Sequence, residues 1–246
     1  MTVVQRFIAF LKKLRRSIIR RTRRPAVGTI NLGDLDRVTP VSKDWGFDRG
    51  TPVDRLYIEQ FLEAFSSDVQ GRCLEVADNR YTLRFGGDRV TRSDVLHNRE
   101  GRAQATLVLD LVETDNAPEN LFDCIVCTQT LHLIFDIGAA IRTLNKLLKP
   151  GGVLLLTAPA ITQISRKDLK LHGDHWRLTS ATLGRLFDVS GGWTTPEIRT
   201  YGNVYAATAF LHGLAVEELD RDKLSHFDPD YEMLTGVRTA KPQSNS

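Results

Sequence analysis

The sequence predicts an α/β protein built on a doubly wound, mostly parallel sheet, and three observations predict it. Short runs rich in Val, Leu and Ile recur from residue 72 onward, as expected of strands covered on both faces. Between them lie stretches with helical spacing, and strands that alternate with helices argue a parallel sheet. The junction "KPGG", residues 149–152, supplies the stop signal between a helix and the strand after it.

Residues 1–24 form a basic N-terminal arm. Val4, Phe7, Ile8, Leu11, Leu14 and Ile18 recur at helical spacing, with most of the basic residues on the other face. That pattern fits an amphipathic helix lying on an anionic membrane surface, with a solvated terminal helix as the competing reading. Residues 25–52, rich in Pro, Gly and Asp and ending in "WGFDRGTP", are expected as a linker. The main domain is expected over 53–240. It opens with the helix "VDRLYIEQFLEAF". The strands "RCLEVA", "RVTRSDV", "ATLVLDL" and "FDCIVCTQT" follow, then the helix "IGAAIRTLNKLL" and the fifth strand "GVLLLTAP". Further on, "ATLGRLF" and "NVYAATAFLHGLAVEEL" read as helices, and "TPEIRTY" and "YEMLTGVRTA" as strands. This ending predicts an antiparallel last strand added at the sheet edge. Residues 241–246 read as a disordered tail.

Charge separates the arm from the domain. The arm holds nine Lys or Arg and no acid, leaving 24 basic and 30 acidic residues, a net of −6, in the rest of the chain. The overall pI of 8.8 therefore says little about the domain. An RNA-binding arm is disfavoured because its two aromatics, Phe7 and Phe10, fit the apolar face, and no nucleic-acid partner is expected. No apolar run approaches the roughly 18–20 residues needed to cross a bilayer. No secretory leader is recognisable either, so the expected location is cytoplasmic, at most peripheral to the inner membrane face. Cys73, Cys124 and Cys127 fall inside predicted strands. On a strand, Cys124 and Cys127 stand roughly 10 Å apart, too far for a disulfide. Buried thiols in a reducing compartment are expected. The histidines and acids form no metal-binding motif, and no metal is expected.

An open parallel sheet binds ligands beyond the carboxyl ends of its strands. At those ends the sequence places Glu75, Ala77, Asp78 and Asn79, then Asp94, then Asp110, then Thr128, Gln129 and His132. One such acid is explained by helix capping or loop solvation; three at one edge suggest a site. Asp94 follows Glu75 by 19 residues, close to the spacing of a ribose-binding carboxylate in nucleotide folds. A nicotinamide fingerprint is disfavoured because the loop "ADNRY" has no glycine to cradle a pyrophosphate.

With "LFDCIVCTQTLHLI", "LLKPGGVLLLTAP" and "HGDHWRLTSATLGRLF" in view, residues 53–240 resemble class I S-adenosylmethionine-dependent methyltransferases. The "LKPGG" junction is a mark of that family, and "DHWRLT" looks like its small-molecule and sugar-modifying, type 11-like branch. The resemblance implies a seven-stranded sheet with an antiparallel last strand and S-adenosyl-L-methionine as cofactor. It implies O- or N-methylation of a small-molecule or glycan acceptor, which membrane attachment would make a lipid-linked sugar. Position by position, Glu75 falls at the acid opening the glycine loop, with the loop glycines replaced by Ala77, Asn79 and Tyr81. Asp94 falls at the ribose acid, Asp110 and Leu111 flank the adenine, and Thr128 and Gln129 line the sulfonium end. His132 and His175 are candidate bases for a hydroxyl acceptor, with Asp174 orienting an imidazole or binding the hydroxyl itself. His172 is a weaker third. Trp176 and Arg177 fit a sugar-stacking platform or an anion clamp, or more commonly a core aromatic beside a surface charge. The lost glycines also fit a catalytically inactive scaffold that keeps the fold.

Overall fold

A computed structural model describes residues 25–243. The basic arm, 1–24, and residues 244–246 of the expected tail lie outside the described residues. The chain divides into two compact units at Thr39/Pro40. The described part of the first holds a turn at Ala26–Thr29 and a single 3-10 turn at Gly33–Leu35.

Residues Pro40–Pro52 belong with the second unit, so the expected linker ends well before residue 52. The Val41 and Ser42 amides donate to the His212 carbonyl at 2.8 and 3.1 Å, and the Trp45 indole donates to Thr162 Oγ1 at 3.3 Å. Arg49 is ion-paired with Glu218. The approach depends on Gly213, at φ +68°, whose missing side chain leaves room for the Ser42 backbone. The same glycine corrects the long helix expected over 203–219. The helix stops at Leu211, and a single 3-10 turn, Val216–Glu218, follows the bend.

Seven strands form one sheet: β1 (Gly71–Val76), β2 (Val90–His97), β3 (Leu107–Val108), β4 (Phe122–Thr128), β5 (Leu148–Pro159), β6 (Glu197–Tyr201) and β7 (Leu234–Ala240). Their order is β3-β2-β1-β4-β5-β7-β6. The first five pair in parallel, and β7 runs antiparallel to both neighbours. The mostly parallel sheet with an antiparallel last strand is therefore present, with one correction. β7 inserts between β5 and β6 rather than closing an edge. β3 shortens from the expected seven-residue run to a two-residue ladder.

Among the described residues six α-helices accompany the sheet: α1 (Val53–Ala64), α2 (Ile137–Leu147), α3 (Arg166–Leu171), α4 (Ser180–Ser190), α5 (Val204–Leu211) and α6 (Arg221–Ser225). Successive strand residues serve opposite faces. Leu74, Ile125, Cys127, Leu154 and Leu156 pack with Ile141 and Leu144 of α2 and Phe187 of α4. Cys73, Cys124, Val126, Val153 and Leu155 pack with Tyr57, Ile58 and Phe61 of α1 and Phe210 of α5. Each fully buried Leu or Ile contributes on the order of 1.5–3 kcal/mol, so these two layers carry the fold. Side chains start the helices. Asp136 accepts from the Ala139 amide at 2.8 Å before α2, and Asn203 from the Ala206 amide at 3.0 Å before α5. All three cysteines are free and buried, and burial pushes the Cys127 thiol up to about 12. That describes an inert core residue.

Candidate active site

A cavity of about 690 Å³ opens beyond the carboxyl ends of β1, β2, β3 and β4. Such a volume falls inside the roughly 300–1,000 Å³ of small-molecule sites. Each strand end contributes to its wall: Glu75, Ala77 and Asp78 from β1, Leu96 and His97 from β2, Asp110 and Leu111 after β3, and Thr128 and Gln129 at the end of β4. Arg55 of α1 completes one side, while Phe135 comes from the loop after β4, Asp168 from α3, and His172 and His175 from the segment following α3. The strands end here because the apolar pattern gives way to polar residues that can bend the chain into loops.

Glu75 anchors the first loop. Its carboxylate accepts from the Thr82 amide at 2.7 Å and the Tyr81 amide at 3.3 Å, the first turn of the helical segment Thr82–Gly86. Burial pushes its carboxyl up to about 7, against the pull of those amides. Ala77 stands at φ +75°, a backbone that glycine adopts freely and alanine at a cost of roughly 1–2 kcal/mol. The loop thus keeps the glycine conformation without the glycine. Gln129 is likewise left-handed, at φ +47°; its Nε2 donates to Asp54 at 3.2 Å, and its Oε1 is buried without a partner.

Four expected site residues stand elsewhere. Asp94 lies three residues before the end of β2, which runs on through Val95 and Leu96 to His97. Its buried carboxylate accepts from Arg72 Nε at 2.7 Å, Arg92 Nη2 at 3.1 Å and Thr106 Oγ1 at 2.9 Å. Burial alone would raise it, but these donors outweigh burial and hold the carboxyl below its ordinary value. It ties two strands together and does not line the cavity. Asp174 is also committed. It accepts from Arg177 at 2.6 Å and the Ser165 amide at 2.7 Å, and these donors overcome burial to keep its carboxyl low. This brace holds the segment after β5, so Arg177 is neither a free surface charge nor a platform. Asn79 turns away, its Nδ2 donating to Ser93 at 3.1 Å.

The two histidines separate. His132 is half-buried outside the cavity wall, its Nδ1 enclosed without a partner, and burial drops its pKa to about 4. Its carbonyl accepts from the His175 amide at 2.9 Å, so the residue positions His175 through the backbone. His175 lines the cavity, exposed, with its ring edge-on to Phe135 at 5.5 Å. Phe135 stacks on Trp176 at 5.7 Å, and the Trp176 indole donates to the Ile134 carbonyl at 3.1 Å. Sequence reasoning missed Arg55, Arg80, His97, Arg99, Arg102 and Phe135 of the wall. Reading β2 to the end of its apolar run would have found His97. Nothing local marks Arg55, which reaches the cavity from a helix preceding β1.

Among the described residues, no group of three or more His, Cys, Asp or Glu is placed to hold a metal ion, and no helix is long and apolar enough to cross a membrane. A family profile described as a methyltransferase domain matches residues 43–209. That match begins inside the Pro40–Pro52 segment already seen to pack with the domain. No curated protein matches the sequence. Among solved structures, the chain is similar to the N-methyltransferase NodS from Bradyrhizobium japonicum in complex with S-adenosyl-L-homocysteine. Identity is 17% and the TM-score 0.51, over 85% of this chain and 97% of that one. It is also similar to a SAM-dependent methyltransferase from Archaeoglobus fulgidus, at 10% identity and a TM-score of 0.50, over 76% and 94% of the two chains. The [4+2]-cyclase SpnF matches at 18% identity and a TM-score of 0.50, over 80% and 84%. At these identities the likeness concerns the fold.

Proposed function

This chain belongs to the methyltransferase-domain family, and on that premise we propose that it transfers a methyl group from S-adenosyl-L-methionine to a hydroxyl or amine of a small-molecule or sugar acceptor. The observation that carries the reading is the cavity at the strand ends, where Glu75 holds a loop that Ala77 keeps in glycine-like form. The cofactor supplies an activated methyl group that needs no further electrophilic help.

The residues present fit such a cofactor. Leu96, Leu109 and Leu111 offer an apolar slot for a flat heterocycle, and Asp78 and Asp110 offer acceptors beside it. Asp78 is paired with Arg80 at 2.8 Å and half-buried, so its position is fixed. Thr128 and Gln129 border the slot at the end of β4. His175 is the group on the wall able to take a proton from a hydroxyl acceptor; Asp174 and His132 hold the segment that carries it. Alignment of acceptor and methyl does most of the work, an effect that reaches several kcal/mol.

Incubation with labelled S-adenosyl-L-methionine and a panel of sugar and amine acceptors tests this, read as methyl transfer by mass spectrometry. S-adenosylhomocysteine binding by titration comes first. A second reading, an inactive scaffold, draws on the replaced glycines at Ala77, Asn79 and Tyr81; cofactor binding without transfer to any acceptor would favour it. We further propose that residues 1–24 attach a cytoplasmic enzyme to anionic lipid near a lipid-linked acceptor. The full chain should co-sediment with anionic but not neutral vesicles at low salt. Equal sedimentation with both would remove the membrane role.

A further inference from the structure

The cavity wall carries both signs of charge. Acids stand where β1 and β3 end, at Glu75, Asp78 and Asp110. Between those strand ends, the loop from β2 to β3 brings His97, Arg99 and Arg102 to the wall, and α3 with the turn after it brings Asp168 and His172. Arg99 Nη2 donates to the Leu171 carbonyl at the end of α3. This bond joins the β2–β3 loop to the segment after β5, across the width of β1 and β4.

The two arginines of this loop lack carboxylate partners. Among the described residues, the Arg102 guanidinium makes no ion pair or hydrogen bond, and Arg99 has only the neutral Leu171 carbonyl. Asp168 from α3 and Asp110 after β3 also line the wall; Glu100 is exposed outside it. Asp110 lies at the end of β3 and already accepts from the Val112 amide at 3.1 Å. Two exposed guanidiniums on one loop of the cavity wall, neither paired with a carboxylate, are placed to bind an oxyanion. One arginine fork satisfies a carboxylate. Two, with imidazoles beside them, match the higher charge and three oxygens of a phosphate monoester, about −1.5 to −2 at neutral pH.

We propose that Arg99 and Arg102 form an anion subsite that holds a phosphate group on the methyl acceptor, so that the acceptor is a phosphorylated small molecule or sugar phosphate. The assignment to the acceptor rests on the reading given above. Its own support is that Arg99 is tied to the Leu171 carbonyl, next to His172 on the segment that also carries His175. His97 and His172 add ring N–H donors beside the two arginines.

Inorganic phosphate is the probe, titrated into the full chain with and without saturating S-adenosylhomocysteine. Arg102→Gln is the cleaner variant, because Arg102 is exposed and supports no contact in the fold. Losing one charge-assisted contact should weaken phosphate about ten- to a hundredfold. Arg99→Gln/Arg102→Gln should weaken it further, and wild-type affinity should fall as salt rises. The proposal expects phosphate to bind while S-adenosylhomocysteine is bound. Equal phosphate affinity in wild type and a folded Arg102→Gln protein overturns the subsite. So does an absence of phosphate binding to wild type. Phosphate binding that disappears under saturating S-adenosylhomocysteine overturns the assignment to the acceptor, because the subsite then serves the cofactor's own carboxylate. Phosphate binding without any binding of S-adenosylhomocysteine counts against the methyltransferase reading and leaves the anion subsite standing.

Discussion

Glu75 and Asp94 stand one strand apart, each 2% exposed, and the surroundings give them opposite characters. Glu75 sits at the end of β1 with two amides as its donors, and burial pushes its carboxyl up to about 7. Asp94 sits inside β2 between two arginines, whose donors outweigh burial and hold it low. The neighbours a carboxylate meets, set by its distance from the strand end, separate the one facing a ligand cavity from the one fastening a sheet. Spacing from Glu75 does not make that distinction.

The comparison breaks most visibly in how stability depends on pH. Glu75 has a folded pKa raised above its unfolded value. Its contribution is complete below the unfolded value of about 4.5 and is lost as pH rises through about 7, a change on the order of 3 kcal/mol. Asp94 has a lowered folded pKa. Its contribution is present above the unfolded value of about 3.8 and is lost as pH falls through the folded one. Urea unfolding across both windows should show Glu75→Gln flattening the upper limb and Asp94→Asn the lower. The same limb flattened by both variants would end the contrast.

Asp94→Ala should destabilise next most. Arg72 is largely covered while Arg92 reaches water, with side-chain exposures of 27% and 60%. The loss should therefore fall below that of a fully buried pair, at about 2–3 kcal/mol. For a chain of this size that lowers Tm by roughly 4–12 °C, measurable by thermal melting. An unchanged Tm would mean the arginine pairs fasten nothing. The smallest effect belongs to Ala77→Gly. Relief of the left-handed strain, less the added chain entropy, should stabilise the fold by about 0.5–1 kcal/mol. A destabilised variant would show that the φ +75° backbone carries no strain.

Much of this was legible in the sequence, for physical reasons. β1, β4 and β5 announce themselves because most of their residues are buried on both faces, and Pro150 of "KPGG" follows closely on the end of α2 at Leu147, with Gly151 at φ +79° inside β5. Cavity residues immediately after a strand, such as Ala77 and Asp110, follow from the strand assignments alone. Asp94 was misplaced because a charge inside an apolar run reads as the end of the strand. Its true reason, Arg72 on the neighbouring strand, is a non-local contact 22 residues away. Asp174 failed similarly, since the fold of the segment after β5 turns it onto Ser165 and Arg177. Arg99 and Arg102 were invisible because they reach the cavity through a loop without periodicity.

Titration of S-adenosylhomocysteine into wild type, Glu75→Gln and Asp94→Asn tests the central claim most directly, with each variant first shown to be folded. The account predicts binding to wild type, nearly equal binding to Asp94→Asn, and binding to Glu75→Gln weakened about tenfold as the loop loses part of its anchor. No binding to wild type, or a loss in Asp94→Asn as large as that in Glu75→Gln, would contradict it.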